Sequence, residues 1–381
     1  MDINFHYFTI KTLARFAGFD ENEAQRIAVF SEYIDDFDWI TYLDCKNIPD
    51  YIKNDVDCDL HRPSLLTLNM NFNPAMTGFF SYIDMAFLYL ERSQKFTVSP
   101  FHFIPRNIAL IAKDTRTTPA QVGDGSIISD LLLEAKAALL AEEEPRNRSL
   151  MRIGMYLHTF ADTYAHQLFS GYESWVNEVT ISNVIDNANG GNITDTVMCQ
   201  TRQMSSQEPN IDWPAIGHAR AGHTPDLTYV SFTMQYKSNE RDEARSLTHT
   251  RSNTAEFLIA ARHILNYLRE CRNLEAVTEA EWQGLADRIG NVFLIPYAEE
   301  TTIPTYVNNW HNTFPEYAYS FNKEEIEASF RLANANDTSD TEEPNSPFGK
   351  NYTEEFYRYN YIADKVLNKM YGPKPRNAWW N

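Results

Sequence analysis

The chain has few cysteines, few basic residues and no long apolar run. Its 381 residues include four cysteines, Cys45, Cys58, Cys199 and Cys271, and no CxxC pair. This spacing argues against a zinc knuckle or a thioredoxin-type redox site, and a Cys45–Cys58 disulfide would require an oxidising compartment. Because no run of about 18 apolar residues occurs, the sequence predicts no transmembrane segment.

Positive charge is also scarce. The 33 basic and 52 acidic residues give a formal net charge of −19. A chain this acidic repels long polyanions, so we expect no stable nucleic-acid complex. The 43% of hydrophobic residues, in contrast, is ample for a large core.

The N-terminal stretch MDINFHYFTIKTLARFAGF does not read as a Sec signal peptide. It has no basic n-region, no long apolar h-region and no small-residue cleavage site. We therefore expect a cytoplasmic protein by default. The alternative is leaderless export by a route that reads no Sec signal, such as a contractile injection system. The sequence does not indicate an oligomeric state.

Helical spacing of apolar residues dominates the chain. It predicts helices over residues 5–18, 21–36, 78–92, 126–143, 147–169, 252–270, 278–289, 322–334 and 353–370. Irregular or extended segments are predicted over 40–76, 97–105, 186–215 and 333–349. The expected fold is one large all-α domain spanning 1–381, more than half helical, with long loops and no sheet larger than a small hairpin.

One predicted helix, within MYLHTFADTYAHQLFSG at 155–171, carries His158, Asp162 and His166 at intervals of four residues. Residues four apart share a helix face and lie about 6 Å apart along the axis, so His158 and Asp162 can bind one metal ion. The two histidines are about 12 Å apart along the axis, which is long for one ion to bridge. The spacing therefore indicates several metals with Asp162 as a bridge. The alternative is a set of satisfied polar residues at a helix interface.

Four further histidines lie in helix starts or irregular segments, where ligands from distant parts of a chain often originate. They are His6, His102 in SPFHFIP, and His218 and His223 in IGHARAGHTPD. For each of them, an ordinary surface or core histidine is the alternative. The remaining four have no such context: His61, His249, His263 and His311.

The order of these motifs resembles the zinc-dependent phospholipase C family, whose fold the S1/P1 nucleases share. The matching features are the early histidine, an Asp after the second helix, HF before IP, LHxxADxxxHQ, and GH followed by a second His. Nearly the whole chain also resembles a poorly characterised bacterial family that begins MDxxFHY and contains AGHxPD. The resemblance implies an all-α fold of the phospholipase C type.

The resemblance further implies two or three zinc ions, with ligands carried over position by position. The first ion would be bound by Asp36, or alternatively Asp35, with His102, His158 and Asp162. The second would be bound by Asp162 as a bridge, His6 and a group near the N-terminus, for which Asp2 is the candidate. The third would be bound by His166 with His218 and with His223 or Asp226.

Two departures from the family pattern concern the second and third ions. Secreted members of the family use the amine and carbonyl of their first mature residue as ligands, whereas here His6 follows Met1 by only five positions. The family also has a Glu four residues after a His in its last motif, and position 222 of this chain is Gly.

These features predict a metal-dependent phosphoesterase. Clustered zinc lowers the pKa of a bound water and neutralises phosphoryl charge, and Asp35 or Asp36 would orient or deprotonate that water. A phospholipid or similar phosphodiester is the expected substrate. A non-enzymatic metal-stabilised scaffold or toxin component and an S1/P1-type nuclease are the alternatives.

Overall fold

A computed structural model gives the fold of the chain in two compact units. The larger unit comprises residues 1–32 and 82–321, and the smaller comprises 33–81 and 322–381. The structure describes residues 1–38, 43, 45, 47–61, 71–78, 90–107, 115–197, 214–236, 248–297, 301–332 and 352–372.

Helices make up most of the described structure, and their bounds follow the predicted ones closely in several cases. The helices are α1 (Ile10–Phe16), α2 (Glu21–Asp36), α3 (Asp50–Lys53), α4 (91–101), α5 (Ile127–Leu140), α6 (Arg146–Ala165), α7 (Asn253–Glu270), α8 (Glu279–Phe293), α9 (Ile303–Thr313), α10 (Lys323–Ser329) and α11 (Glu354–Tyr371). A π-helix, Asn4–Thr9, runs directly into α1. The predicted helix 78–92 falls largely outside the described residues.

The all-α prediction is wrong, because the fold is mixed. The structure is 54% helical and also contains a three-stranded antiparallel sheet in the order β1 (Val179–Asp186), β2 (Val230–Tyr236), β3 (Thr248–Ser252). In β2 the buried residues Val230, Phe232, Met234 and Tyr236 alternate with more exposed ones. This period of two is the signature of a half-buried strand.

The predicted extended segment 97–105 is also corrected. Residues 91–101 form α4, in which the π-helix Gln94–Val98 lies between two short α-helical pieces, Glu91–Ser93 and Ser99–Phe101. Pro100 lies in the first turn of the last piece, and the helix ends one residue after it. His102 therefore lies at the C-terminal end of a helix, and its N–H donates to the Val98 carbonyl at 3.1 Å.

Helix α6, which carries the HxxxDxxxH motif, is the centre of the larger unit. It packs against α5 and α7, while α7 also packs against α1 and β2. From Ser149 to Ala165 every residue of α6 is buried except Arg152. A helix that is buried on all faces belongs to the core, so its polar side chains need partners within the protein.

A glycine allows α2 to approach α6 closely. A Cβ atom on Gly154 would lie 2.2 Å from the Ile27 carbonyl oxygen, closer than any side chain tolerates. One turn further along both helices, the Ser31 carbonyl lies 2.8 Å from His158 Nδ1. The close helix contact thus positions the first histidine of the motif.

The smaller unit is built around an aromatic cluster. Its rings come from α2, α10, α11 and the segments that follow α2 and α10, and they include Tyr33, Phe37, Phe330, Phe356 and Tyr359. Cys45 and Cys58 are buried thiols in this unit and are not joined by a disulfide. In the part of the chain that the structure describes, no helix is both long and apolar enough to cross a bilayer.

Gly154→Ala tests the close approach of α2 and α6. We expect it to lower the free energy of unfolding by about 1–3 kcal/mol, because the added methyl overlaps the Ile27 carbonyl. Gly284→Ala, at an exposed position of α8, is the matched control, since a Cβ there meets nothing within 4 Å. Helix propensity should make that variant more stable by about 0.5–1 kcal/mol. Equal urea midpoints for the two variants would contradict the helix contact.

Candidate metal centre

The Asp162 carboxylate is surrounded by nitrogen atoms. Its Oδ1 lies 2.5 Å from the Met1 amino group and 3.1 Å from His6 Nε2. Its Oδ2 lies 3.3 Å from His158 Nε2 and 3.4 Å from His102 Nδ1. The side chains of His6, His158 and Asp162 are at most 1% exposed, so these groups interact in an environment that excludes water.

Two groups of side chains in the larger unit have the spacing of metal ligands. The inner cluster consists of His102, His158 and Asp162, and the outer cluster consists of His166, His218 and Asp226; in each, the candidate ligand atoms lie within 4.8 Å of one another. The outer cluster is closed by contacts of 3.0 Å from His166 Nε2 to Asp226 Oδ1 and 3.2 Å from His218 Nε2 to Asp226 Oδ2.

Backbone carbonyls orient three of the histidines. His158 Nδ1 lies 2.8 Å from the Ser31 carbonyl, His166 Nδ1 lies 2.6 Å from the His102 carbonyl, and His218 Nδ1 lies 2.8 Å from the Gly222 carbonyl. A carbonyl only accepts, so each Nδ1 donates a proton. In the neutral ring Nε2 then carries a lone pair, and in all three residues Nε2 is the atom that faces the cluster.

In this tautomer the Nε2 lone pair faces a carboxylate oxygen, and two acceptors repel each other unless a cation lies between them. His166 Nε2 faces the Asp226 carboxylate, and His158 Nε2 faces the Asp162 carboxylate. Either a proton on each Nε2 or a shared metal ion makes these contacts favourable. Asp162 Oδ2 is buried and makes no hydrogen bond among the described residues, and a cation at the inner cluster would bind it together with His158 Nε2.

The electrostatics favour an ionised Asp162 and neutral His6 and His218. Burial alone would raise the pKa of Asp162, but His166, the Met1 amino group and His158 lower it well below its usual value. Burial, the neighbouring His158 and the Met1 amino group lower the pKa of His6 to about 3. Burial is also the main cause that lowers the pKa of His218 to about 4. Ionised carboxylates and neutral imidazoles are the forms that bind metals.

Phe103 and two glycines hold the histidine-bearing segments together. The Phe103 ring stacks on His166 at 4.5 Å and lies 5.7 Å from the His218 ring. A Cβ on Gly217, which has a φ of +53°, would lie 2.5 Å from the Phe103 ring, and a Cβ on Gly171 would lie 2.6 Å from Ser99 Cα. The His102–Phe103 segment therefore contributes a ring to the inner cluster, and both a carbonyl and a stacking ring to the outer one.

Six of the predicted ligands come together in the two clusters, and His6 lies beside them on Asp162. Asp226 is the carboxylate of the outer cluster, whereas the His223 side chain is exposed and belongs to neither cluster among the described residues. The Asp2 carboxylate accepts from the Asn4 N–H at 3.1 Å and bonds to Tyr297, and burial raises its pKa to about 7. The sequence pointed to Asp2 as the group near the N-terminus. In the structure the Met1 amino group contacts Asp162 instead.

Asp35 and Asp36 end helix α2 and belong to the smaller unit. Asp36 Oδ1 accepts from Lys323 Nζ at 3.1 Å, and burial raises the pKa of Asp36 despite that ion pair. The assignment of either as a ligand or as a catalytic base stays a prediction.

Comparison with known proteins assigns the chain to one family. Residues 1–370 match the family of unknown function DUF6765, so the chain belongs to that family. No curated protein and no solved structure matches it. The resemblance to zinc-dependent phospholipases thus stays a prediction from the motifs.

The depressed histidine pKa values predict acid sensitivity of the metal-free protein. Between pH 6.5 and about 4, the unfolded chain binds protons on His6 and His218 that the folded chain does not, so stability falls as the pH falls. Each of the two histidines should contribute a loss of about 1.4 kcal/mol per pH unit. Burial raises the pKa of Asp2 and of Asp38 to about 7, so these carboxyls contribute in the opposite direction, and the share of one histidine is the change in slope when it is replaced.

Urea unfolding of chelator-treated protein at several pH values measures this slope. His311→Gln, which removes an exposed histidine of α9, should leave the slope unchanged. His218→Gln should reduce the loss by about 1.4 kcal/mol per pH unit, and an unchanged slope in that variant would show that the His218 ring is protonated in the folded state.

Proposed function

For this member of a family of unknown function, we propose metal-dependent hydrolysis of a phosphoester at a two-ion centre. The inner and outer clusters each bind one transition-metal ion, most suitably zinc. The expected substrate is a phospholipid or similar phosphodiester. A third ion, bound near His6 and Asp162 Oδ1, is the further prediction of the motif resemblance.

The observation that carries this proposal is the orientation of the imidazoles. Metal-binding histidines generally donate the other ring N–H to a carbonyl or carboxylate, and His158, His166 and His218 all do so. Each cluster offers two imidazoles and one carboxylate, and in the described residues no cysteine takes part. Such a set suits zinc with an open coordination position better than a closed structural site.

When bound, the two ions would supply an activated water and neutralise the charge of a phosphoryl group. The chain's own residues hold the centre in place for this chemistry. Asp162 Oδ2 lies 3.3 Å from His158 Nε2 and 3.5 Å from His166 Nδ1, so one carboxylate lies between the two clusters. The side chains of the outer cluster are more exposed, at 19% for His218 and 10% for Asp226, so we place substrate access on that side.

Two features support a phosphoester rather than a nucleic-acid polymer as the substrate. The order of the ligands along the chain resembles the zinc-dependent phospholipases C. The net charge of −19 disfavours long polyanions, which an S1/P1-type nuclease would need to attract. A small or lipid-borne phosphodiester carries less charge and is repelled less.

A non-catalytic scaffold is the second candidate, and the depth of the inner cluster favours it. His158 is fully buried and Asp162 is 1% exposed on a helix that forms the core. A metal at this depth would stabilise the fold whether or not it acts on a substrate.

Asp162→Asn gives the sharpest mutational test of the centre. Because Asp162 lies between the clusters, the loss of its charge should reduce metal content at both, from at least two equivalents to less than one. His263→Ala, a half-buried histidine of α7 outside the clusters, is the control and should keep both metals and activity. Full metal content in a folded Asp162→Asn protein would refute the two-ion arrangement.

A substrate panel separates the proposed activities. We expect the zinc-loaded protein to cleave para-nitrophenyl phosphorylcholine faster than bis-para-nitrophenyl phosphate, and to leave single-stranded DNA nearly intact. A preference for DNA would favour the nuclease alternative. Two bound metals with no cleavage of any phosphoester would favour the scaffold.

The open choice between Asp35 and Asp36 has its own test. If Asp35 is the functional carboxylate, Asp35→Asn should lower kcat by about 100-fold or more, as expected for loss of a general base. Asp36→Asn should chiefly affect stability, because it removes the ion pair with Lys323. The reverse result would restore Asp36 as the functional residue.

A further inference from the structure

Arg251, near the end of β3, is a buried cation with an unusual set of partners. Its Nη1 donates to the Tyr164 carbonyl at 2.9 Å, and its Nη2 donates to the Ala165 and Pro225 carbonyls at 2.6 and 3.1 Å. The residue is 6% exposed, and the negative charges of Glu256 and Asp226 stabilise its cation. A guanidinium that bonds only to carbonyls at its Nη atoms satisfies the end of a helix.

The three carbonyls belong to residues that precede two proposed metal ligands. Tyr164 and Ala165 end α6 immediately before His166, and Pro225 precedes Asp226. The Arg251 guanidinium is thus hydrogen-bonded both to the backbone that precedes His166 and to the backbone that precedes Asp226. These two ligands contact each other at 3.0 Å, from His166 Nε2 to Asp226 Oδ1.

Asn253, the first residue of α7, holds the same loop from a second direction. Its Nδ2 donates to the carbonyls of Thr224, Pro225 and Leu227 at 2.9, 3.2 and 2.8 Å. Asn253 is fully buried, and its three acceptors flank Asp226 on both sides. A loop held this way has little freedom to move its carboxylate.

We propose that Arg251 and Asn253 form a clamp that positions His166 and Asp226 for the ion of the outer cluster. This inference rests on the proposed two-ion centre and extends it to residues outside the ligand set. The clamp acts chiefly on one ion, because on α6 it bonds only to the last two residues, immediately before His166, and it makes none of these hydrogen bonds to the His102 segment. Arg251 and Asn253 are positioning residues, since neither is a ligand.

Metal titration of the Arg251→Lys and Asn253→Ser variants tests the clamp. Lysine keeps the charge but has no planar fork that spans the carbonyls before His166 and before Asp226. We expect each variant to bind Co²⁺ at the outer cluster about 10- to 100-fold more weakly than the wild type, the range seen when supporting partners of metal ligands are lost. The affinity of the inner ion should stay within about threefold on the same reasoning. Arg262→Lys, which alters a partly exposed α7 arginine paired with Glu279, is the matched control and should bind like the wild type.

The Co²⁺ absorption spectrum identifies which ion is lost. His218→Ala removes a ligand of the outer cluster alone and gives the reference spectrum of the inner ion. Clamp variants at one equivalent of Co²⁺ should reproduce that reference. Equal weakening of the binding of both ions, or no weakening of either, overturns the clamp. If Arg251→Lys does not fold, Asn253→Ser decides the same question. If the wild type binds no ion, the two-ion centre itself is refuted. If the wild type and the variants all bind two ions equally well, only the clamp is refuted.

Discussion

A buried negative charge governs the larger unit. Asp162 is 1% exposed in the middle of α6, and an isolated carboxylate in that position would be very costly. The fold compensates by directing the Met1 amino group and the rings of His6, His102 and His158 to its two oxygens. The N-terminal π-helix, the end of α4 and the core helix α6 must therefore meet at one point, and Gly154 lets α2 come close enough to orient His158.

The two clusters depend on one another through shared residues. Asp162 lies between them, and His102 serves both, because its ring lies in the inner cluster while its carbonyl fixes the His166 ring. The sheet extends this arrangement by delivering Arg251 to the end of α6. A structural change at Asp162 or in the His102 segment should consequently affect both clusters.

The spacing of residues within short segments predicted helices and the ligands carried by one helix. The order of the motifs along the chain predicted some of the ligands that come from other segments. The four-residue spacing identified His158, Asp162 and His166, and apolar periodicity located α2, α5 and α7. The sheet was missed although VSFTMQY alternates, because β1 pairs with β2 across a long intervening segment. The Met1 amine, the carbonyl partners of the histidines and the role of Arg251 come from tertiary contacts, which have no signature in the spacing of residues. Pro100 was misread because a proline in a first turn is compatible with a helix.

The central claim is that metal ions, rather than protons, lie between the Nε2 atoms and the carboxylates. Anomalous diffraction from crystals of protein purified without chelator, recorded on both sides of the zinc absorption edge, tests it directly. The account predicts one anomalous peak among His102, His158 and Asp162 and another among His166, His218 and Asp226. Electron density without anomalous signal at either position, in crystals supplied with zinc, would contradict it and leave protonated histidines as the partners of Asp162 and Asp226.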